Sequence, residues 1–256
     1  MNNPARGLAG WWLASVVTLA LSLVSCAAMG ANMSEAAAAN VQLGIAYMQQ
    51  GNLALAKEKL DRALKQDPRS ADVHSALALL YERLGEPDKV DSHFKRALRL
   101  APRDPEISNN YAVYLCRNGR TKEGVERFLS AARNPLYRTP EAAYTNAGVC
   151  LRSAGRFDEA LENFKKALDL RPNFAEAAYQ LADLHFHQGR TQEARNRVDA
   201  FLNAFRPTPE LLLLGVRVAN ATGDKLGAER YARQLRVEFP GSEQTRALSQ
   251  IHRNPG

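Results

Sequence analysis

The chain has 256 residues, 45% apolar and 7% aromatic, enough for one extended domain or two compact ones with an interior rich in alanine and leucine. Its net charge of +7 raises the question of nucleic acid, but the charges alternate in sign, as in KEKLDRALKQ and ERYARQLR. Such mixing belongs to solvated helix faces, and the lack of a Lys/Arg block with interleaved aromatics argues against a nucleic-acid surface.

The first element is an export signal. Arg6 precedes a run without charge from Gly7 to Ser34, whose apolar core reads LAGWWLASVVTLALSLV. A short cationic lead, an apolar core and then small residues form the layout of a secretory signal. A run of this length could also span a bilayer, so an uncleaved anchor helix is the alternative. Leu23-Val24-Ser25-Cys26 resembles the lipobox of bacterial lipoproteins, in which the cysteine is acylated and the signal is cut just before it. That resemblance makes Cys26 the lipidation site and residues 1–25 the signal peptide. Several acyl chains would hold the rest of the chain stably at a membrane. Ala27 stands where an aspartate would imply inner-membrane retention, so the resemblance implies outer-membrane delivery, with the repeats facing the periplasm. Residues 26–40 then read as the lipidated N-terminus and a short tether.

A repeat follows. Gly51, Gly85, Gly119, Gly155, Gly189 and Gly223 are spaced 34, 34, 36, 34 and 34 residues apart. Each glycine is expected to end one helix, and Pro68, Pro102, Pro135, Pro172, Pro207 and Pro240 lie at the ends of the helices between them. The unit is helix, turn, helix, turn. It resembles the tetratricopeptide repeat, which wants a small residue at position 8, a large one at 11, alanine at 20, an aromatic at 24, alanine at 27 and proline at 32. Residues 141–174 supply Gly148, Leu151, Ala160, Phe164, Ala167 and Pro172. Residues 37–70 supply Gly44, Tyr47, Ala56, Leu60, Ala63 and Pro68, and residues 71–104 supply Ala78, Tyr81, Val90, Phe94, Ala97 and Pro102. The third repeat, 105–140, has Gly124 at position 20 and two extra residues near Asn134-Pro135. The fifth and sixth drift, with Val198 and Phe201, then Ala232 and Leu235, at positions 24 and 27. The expected fold is all-α, a six-repeat superhelix over 41–242, with 243–256 a tail or short capping helix.

Stacked helix pairs offer a groove lined by the first helix of each repeat, suited to an extended peptide or a partner's helix. Motif position places Val41, Ile45, Asn109, Val113, Thr145, Val149, Tyr179, Asp183, Phe186 and Arg217 in it, unless the neighbouring repeat packs over them. Val41 and Ile45 occupy positions where chaperone-binding members of the superfamily carry Lys and Asn, which disfavours that carboxylate clamp. No catalytic constellation is visible, and no cofactor or metal site is expected. His185 and His187 in LHFHQG are two residues apart and diverge on a helix.

Cys116 and Cys150 sit on the first helices of adjacent repeats. In an oxidising compartment such a pair reads as a disulfide, with two buried thiols as the alternative. Around them, Asn109-Asn110-Tyr111, AARNPLYRTP and Tyr144-Thr145-Asn146-Ala147-Gly148-Val149-Cys150 resemble the pilotin lipoproteins of type IV pili, the PilF/PilW family. The resemblance implies an outer-membrane lipoprotein that binds secretin subunits and helps them reach the outer membrane and form multimers. A second reading is an outer-membrane repeat adaptor that recruits peptidoglycan-remodelling enzymes. A hydrolase is the third, disfavoured by the lack of a nucleophile–base spacing.

Overall fold

The computed structural model describes residues 35–251, so the signal segment, Cys26 and the last five residues lie outside the described part. The described residues form thirteen helices and no strand. They divide into two compact units, whose described parts are 35–102 and 103–251.

The first unit contains α1 (35–49), α2 (Leu53–Gln66), α3 (Ala71–Leu84) and α4 (Pro87–Leu100). Residues 35–40 were expected to belong to the tether and are instead the opening turns of α1. The alanine-rich stretch EAAAAN explains the difference, because alanine has the highest helix propensity. Asn40 on α1 donates to Gln66 on α2 at 2.9 Å. Leu60, Leu77, Leu80 and Phe94 are fully enclosed.

The second unit runs through α5 (Pro105–Arg117), α6 (Thr121–Ala132), α7 (Pro140–Ser153), α8 (Phe157–Leu170), α9 (Ala175–His187), α10 (Thr191–Ala204), α11 (Pro209–Ala221), α12 (Lys225–Glu238) and α13 (Glu243–Ile251). Each first helix packs on its own second helix and on the repeat that follows, and α13 packs on α11 and α12. The α13 segment occupies the stretch for which a tail or a short capping helix was expected.

The turn chemistry follows from the six glycines. All have φ between 71 and 77°, a left-handed conformation that any side chain would strain. With the backbone so turned, the next amide reaches back to the carbonyl at motif position 11, as from Arg156 to Leu151 and from Asp224 to Ala219, both at 2.9 Å. This closes the orphan carbonyls of the first helix. Pro87, Pro105, Pro140 and Pro209 open helices at the position that needs no amide hydrogen.

Inside each repeat a small residue faces a bulky one. A Cβ on Gly148 would lie 2.4 Å from the Phe164 ring, and one on Gly44 would lie 2.6 Å from Leu60. The sixth repeat keeps this pairing one residue early: Gly215 faces Tyr231, at positions 7 and 23. The two extra residues of the third repeat form an ordered corner. Asn134 donates to the Arg103 carbonyl at 2.7 Å and accepts from the Leu136 amide at 2.9 Å. Tyr137 is thereby turned inward against Ala131 and Ala143, while Leu136 stays 84% exposed.

Candidate functional site

In the second unit, the first helices α5, α7, α9 and α11 carry eight of the ten residues expected to line the groove. Val149 is the most open of the apolar ones, at 36% exposure. It lines two adjoining cavities, which also share Ser153. One, of about 260 Å³, lies between Val113, Arg117, Phe128, Asn146 and the two cysteines. The other, of about 490 Å³, is bounded by Arg152, Phe157, Gln180, Leu184, His187 and Gln188.

Cys116 and Cys150 are joined in a disulfide with Cα atoms 5.6 Å apart, clamping the end of α5 to α7 beneath the smaller cavity. The sulfur of Cys116 also accounts for the glycine in the third repeat at the position that is alanine in the first, fourth and fifth. A Cβ on Gly124 would lie 2.3 Å from it. Asn109 is half-buried, and its side-chain oxygen lies 3.5 Å from the Asn146 amide of α7. Val113 is half-buried against Ala112, Phe128, Ala147 and Cys150.

Two expected groove residues are packed away instead. Thr145 is 2% exposed and donates its hydroxyl to the Glu141 carbonyl at 2.8 Å. The buried Glu141 carboxylate in turn accepts from Arg171 at 2.9 Å. In the first unit Val41 is likewise buried, whereas Ile45 remains open. Motif position does not tell which residues of that side are open, since position 5 is buried at Thr145 and Val41 and half-buried at Asn109.

Asp183 is also buried, yet it organises the surface around it. Arg152 on α7 donates to its Oδ2 at 2.6 Å, and His187, one turn on along α9, stands 3.4 Å from the same oxygen. Arg217 on α11 places Nη1 3.8 Å from Oδ1, which has no hydrogen-bond partner. The Arg217 guanidinium lies over the half-buried Phe186 ring, 5.3 Å from its centre. Tyr179 sits one turn before Asp183. Burial, and then the negative charge of Asp183, raise the Tyr179 pKa, so its hydroxyl stays neutral.

Contributors that motif position did not place in the groove include Arg117, Asn146, Arg152, Gln180 and His187. A signal for some of them existed, since Arg152 shares motif position 12 with the expected Phe186, and Asn146 and Gln180 both fall at position 6. His185 and His187 diverge, one buried and one exposed. Burial, then the neighbouring Arg190 and Arg197, lower the His185 pKa. Among the described residues no group of three or more His, Cys, Asp or Glu is placed to hold a metal ion. Nor is any described helix long and apolar enough to cross a membrane.

Models of the tetratricopeptide repeat match residues 44–85, 71–114 and 151–215. The type IV pilus assembly protein PilF of Pseudomonas aeruginosa is 33% identical over 237 residues, covering 90% of this chain and 94% of that protein. The solved structure of Pseudomonas aeruginosa PilF superposes with a TM-score of 0.66 at 33% identity, over 86% of this chain and 99% of its own. That of PilW, described as a widely conserved type IV pilus biogenesis factor, gives 0.66 at 31% identity over 83% and 97%. The chain therefore belongs to the PilF/PilW family of tetratricopeptide-repeat proteins and has its role in type IV pilus biogenesis.

Proposed function

We propose that this protein is a pilotin: an outer-membrane lipoprotein, anchored through Cys26, that binds secretin subunits and promotes their delivery and assembly into multimers. The observation that carries the binding role is the face of α5, α7 and α9. There an exposed Val149 joins two cavities rimmed by Arg117, Asn146, Arg152 and Gln180. An apolar centre with polar groups at its edge suits a protein segment, because burial gives the affinity and the rim fixes the register. The disulfide supports this use, since it fixes α5 against α7 and holds the trough open before any partner arrives. The export signal ending at Cys26 supports the anchor.

The test is a Val149→Glu variant in cells. Val149 is open, so folding should change by no more than about 0.5 kcal/mol, the usual range for surface substitutions. Secretin multimers should fall sharply while the variant melts like the wild type and remains in the outer-membrane fraction. Normal multimers with this variant would overturn the docking face. Cys26→Ser should release the protein from the membrane fraction, and retention there would overturn the anchor.

A further inference from the structure

We propose that the face formed by α7, α9 and α11 binds a partner segment carrying a carboxylate next to an apolar side chain. The carboxylate is taken by Arg217 and the apolar group by the cavity between Val149, Phe157 and Leu184. This rests on reading the face as a protein-docking surface, and not on which protein supplies the segment.

The two arginines around Asp183 are held differently. Arg152 is committed: one terminal nitrogen donates to Asp183 at 2.6 Å and the other to Gln180 at 3.0 Å. Arg217 makes no hydrogen bond to the described residues. It is positioned by the Phe186 ring beneath it and by attraction to a carboxylate oxygen 3.8 Å away. Its side chain is 39% exposed, so its fork of donors is placed without being used. A guanidinium held over a ring suits two-point capture of a carboxylate, since less rotamer freedom is left to lose.

The buried carboxylate does not repel an acidic ligand. Asp183, with a side chain 5% exposed, is already covered by cations, and Glu176, the other carboxylate near Tyr179, is engaged by Gln180 at 2.9 Å, so Arg217 is the cation whose donors remain open. Tyr179 adds a second donor. Its hydroxyl has no hydrogen-bond partner among the described residues, and burial keeps it protonated.

The neighbouring cavity selects a peptide over a free anion. Its volume of about 490 Å³ and its apolar walls, Val149, Phe157 and Leu184, suit a leucine- or phenylalanine-sized side chain. Arg152 and His187 belong both to this cavity and to the Asp183 cluster. The two subsites are therefore contiguous, and neighbouring residues of one segment can reach both.

The experiment is selection of phage-displayed random dodecapeptides on the detergent-extracted full-length protein, followed by titration of synthetic versions. Selected peptides should carry Asp or Glu beside Leu, Ile, Met or Phe. Replacing that acid by its amide should weaken binding at least tenfold, and so should Arg217→Glu, while the two changes together should cost little more than either. Arg217→Gln, with melting followed in both variants, keeps the test valid if Arg217→Glu folds poorly. Free-acid and amidated peptides compared side by side show whether the carboxylate is a side chain or a chain end. Selection without acidic residues, or equal retention of the peptides by Arg217→Gln, overturns the proposal. Secretin multimers are scored separately in cells. Acid-selected peptides together with normal multimers in the Arg217 variants would keep this site and refute secretin as its occupant. Lost multimers without acidic selection would do the reverse.

Discussion

The two units are built from one repeat, yet they treat polar groups between paired helices in opposite ways. In the first unit, positions 4 and 23 of the second repeat are His74 and His93, whose Nδ1 atoms lie 3.0 Å apart. In the second unit, the same positions of the third repeat are Ser108 and Arg127, and the serine hydroxyl simply donates to the Arg127 carbonyl at 3.2 Å. One slot holds two titratable rings and the other a neutral hydroxyl. The same backbone plan thus yields one unit that pairs two histidine rings between its helices and another whose strongest constraint is covalent, the disulfide.

The largest effect should be the one the two units share. Phe94 and Phe164 occupy position 24 in the second and fourth repeats, and neither has any exposed surface. Replacing either with alanine should cost about 3–5 kcal/mol. Chemical denaturation with hydrogen exchange as the readout should show similar losses, each confined to its own unit. A much smaller loss in one would mean that its small-against-bulky pair is not the main support there.

Removing the disulfide should separate the units. It closes a 34-residue separation, and the loop-entropy estimate for that length is about 3–4 kcal/mol. Cys116→Ser with Cys150→Ser should lower protection in α5 to α8 and leave α1 to α4 unchanged. Thiol titration of the denatured wild type, kept from reductant, should find neither cysteine free. Two titratable thiols would remove the covalent half of the comparison.

A smaller effect tests why the third repeat differs. Gly124→Ala would restore the repeat's usual residue and improve helix propensity, yet its Cβ would meet the Cys116 sulfur. A sulfur held in a disulfide cannot swing aside, so overpacking should win, by about 1–3 kcal/mol. A stabilised Gly124→Ala protein would show that α6 can shift by the needed amount.

The repeat itself was legible because its punctuation is local. Glycine at position 15 permits the left-handed turn that other residues resist, and proline past the second helix cannot continue a helix, whatever the surroundings. The sixth repeat was harder, since its interior pair slipped to Gly215 and Tyr231 while Gly223 kept the period. The groove was legible only as a side of a helix. Whether Thr145 or Val149 is open depends on how far the next repeat reaches across, which motif position does not encode. The Asp183 cluster joins residues 31 and 34 positions apart, so it follows from the period once the repeats are stacked, but no local pattern announces it. The helical start at residue 35 is hard to read because small residues suit a tether, while a run of alanines is also a strong helix former.

The last expected effect is absent at neutral pH and appears only on acidification. The Nε2 atom of His74 faces the Pro68 carbonyl at 3.2 Å, so it must carry the proton. His74 Nδ1 is then the acceptor, and His93 Nδ1 is the donor toward it. Burial, then His74 and Lys89, lower the His93 pKa from 6.5 to about 4, with Asp61 opposing. Burial lowers that of His74 as well, opposed by the Pro68 carbonyl and helped by Arg96 and Arg99. Tyr81 stacks on the His93 ring and carries Lys89 over its own face, which sets a cation near that ring. Above pH 6.5 both histidines are neutral whether the chain is folded or not, and they make no difference to stability. Between 6.5 and about 4 the unfolded chain binds protons that the folded first unit refuses, so stability must fall as pH falls through that window. Hydrogen exchange at pH 7 and pH 5 should therefore show α3 and α4 losing protection relative to α5 to α8, which hold no histidine, after correction for intrinsic exchange rates. A His74→Gln and His93→Gln double variant should flatten that difference. Equal losses in α5 to α8 would place the acid response in carboxylates common to the repeats, and the His74–His93 pair would have no thermodynamic consequence.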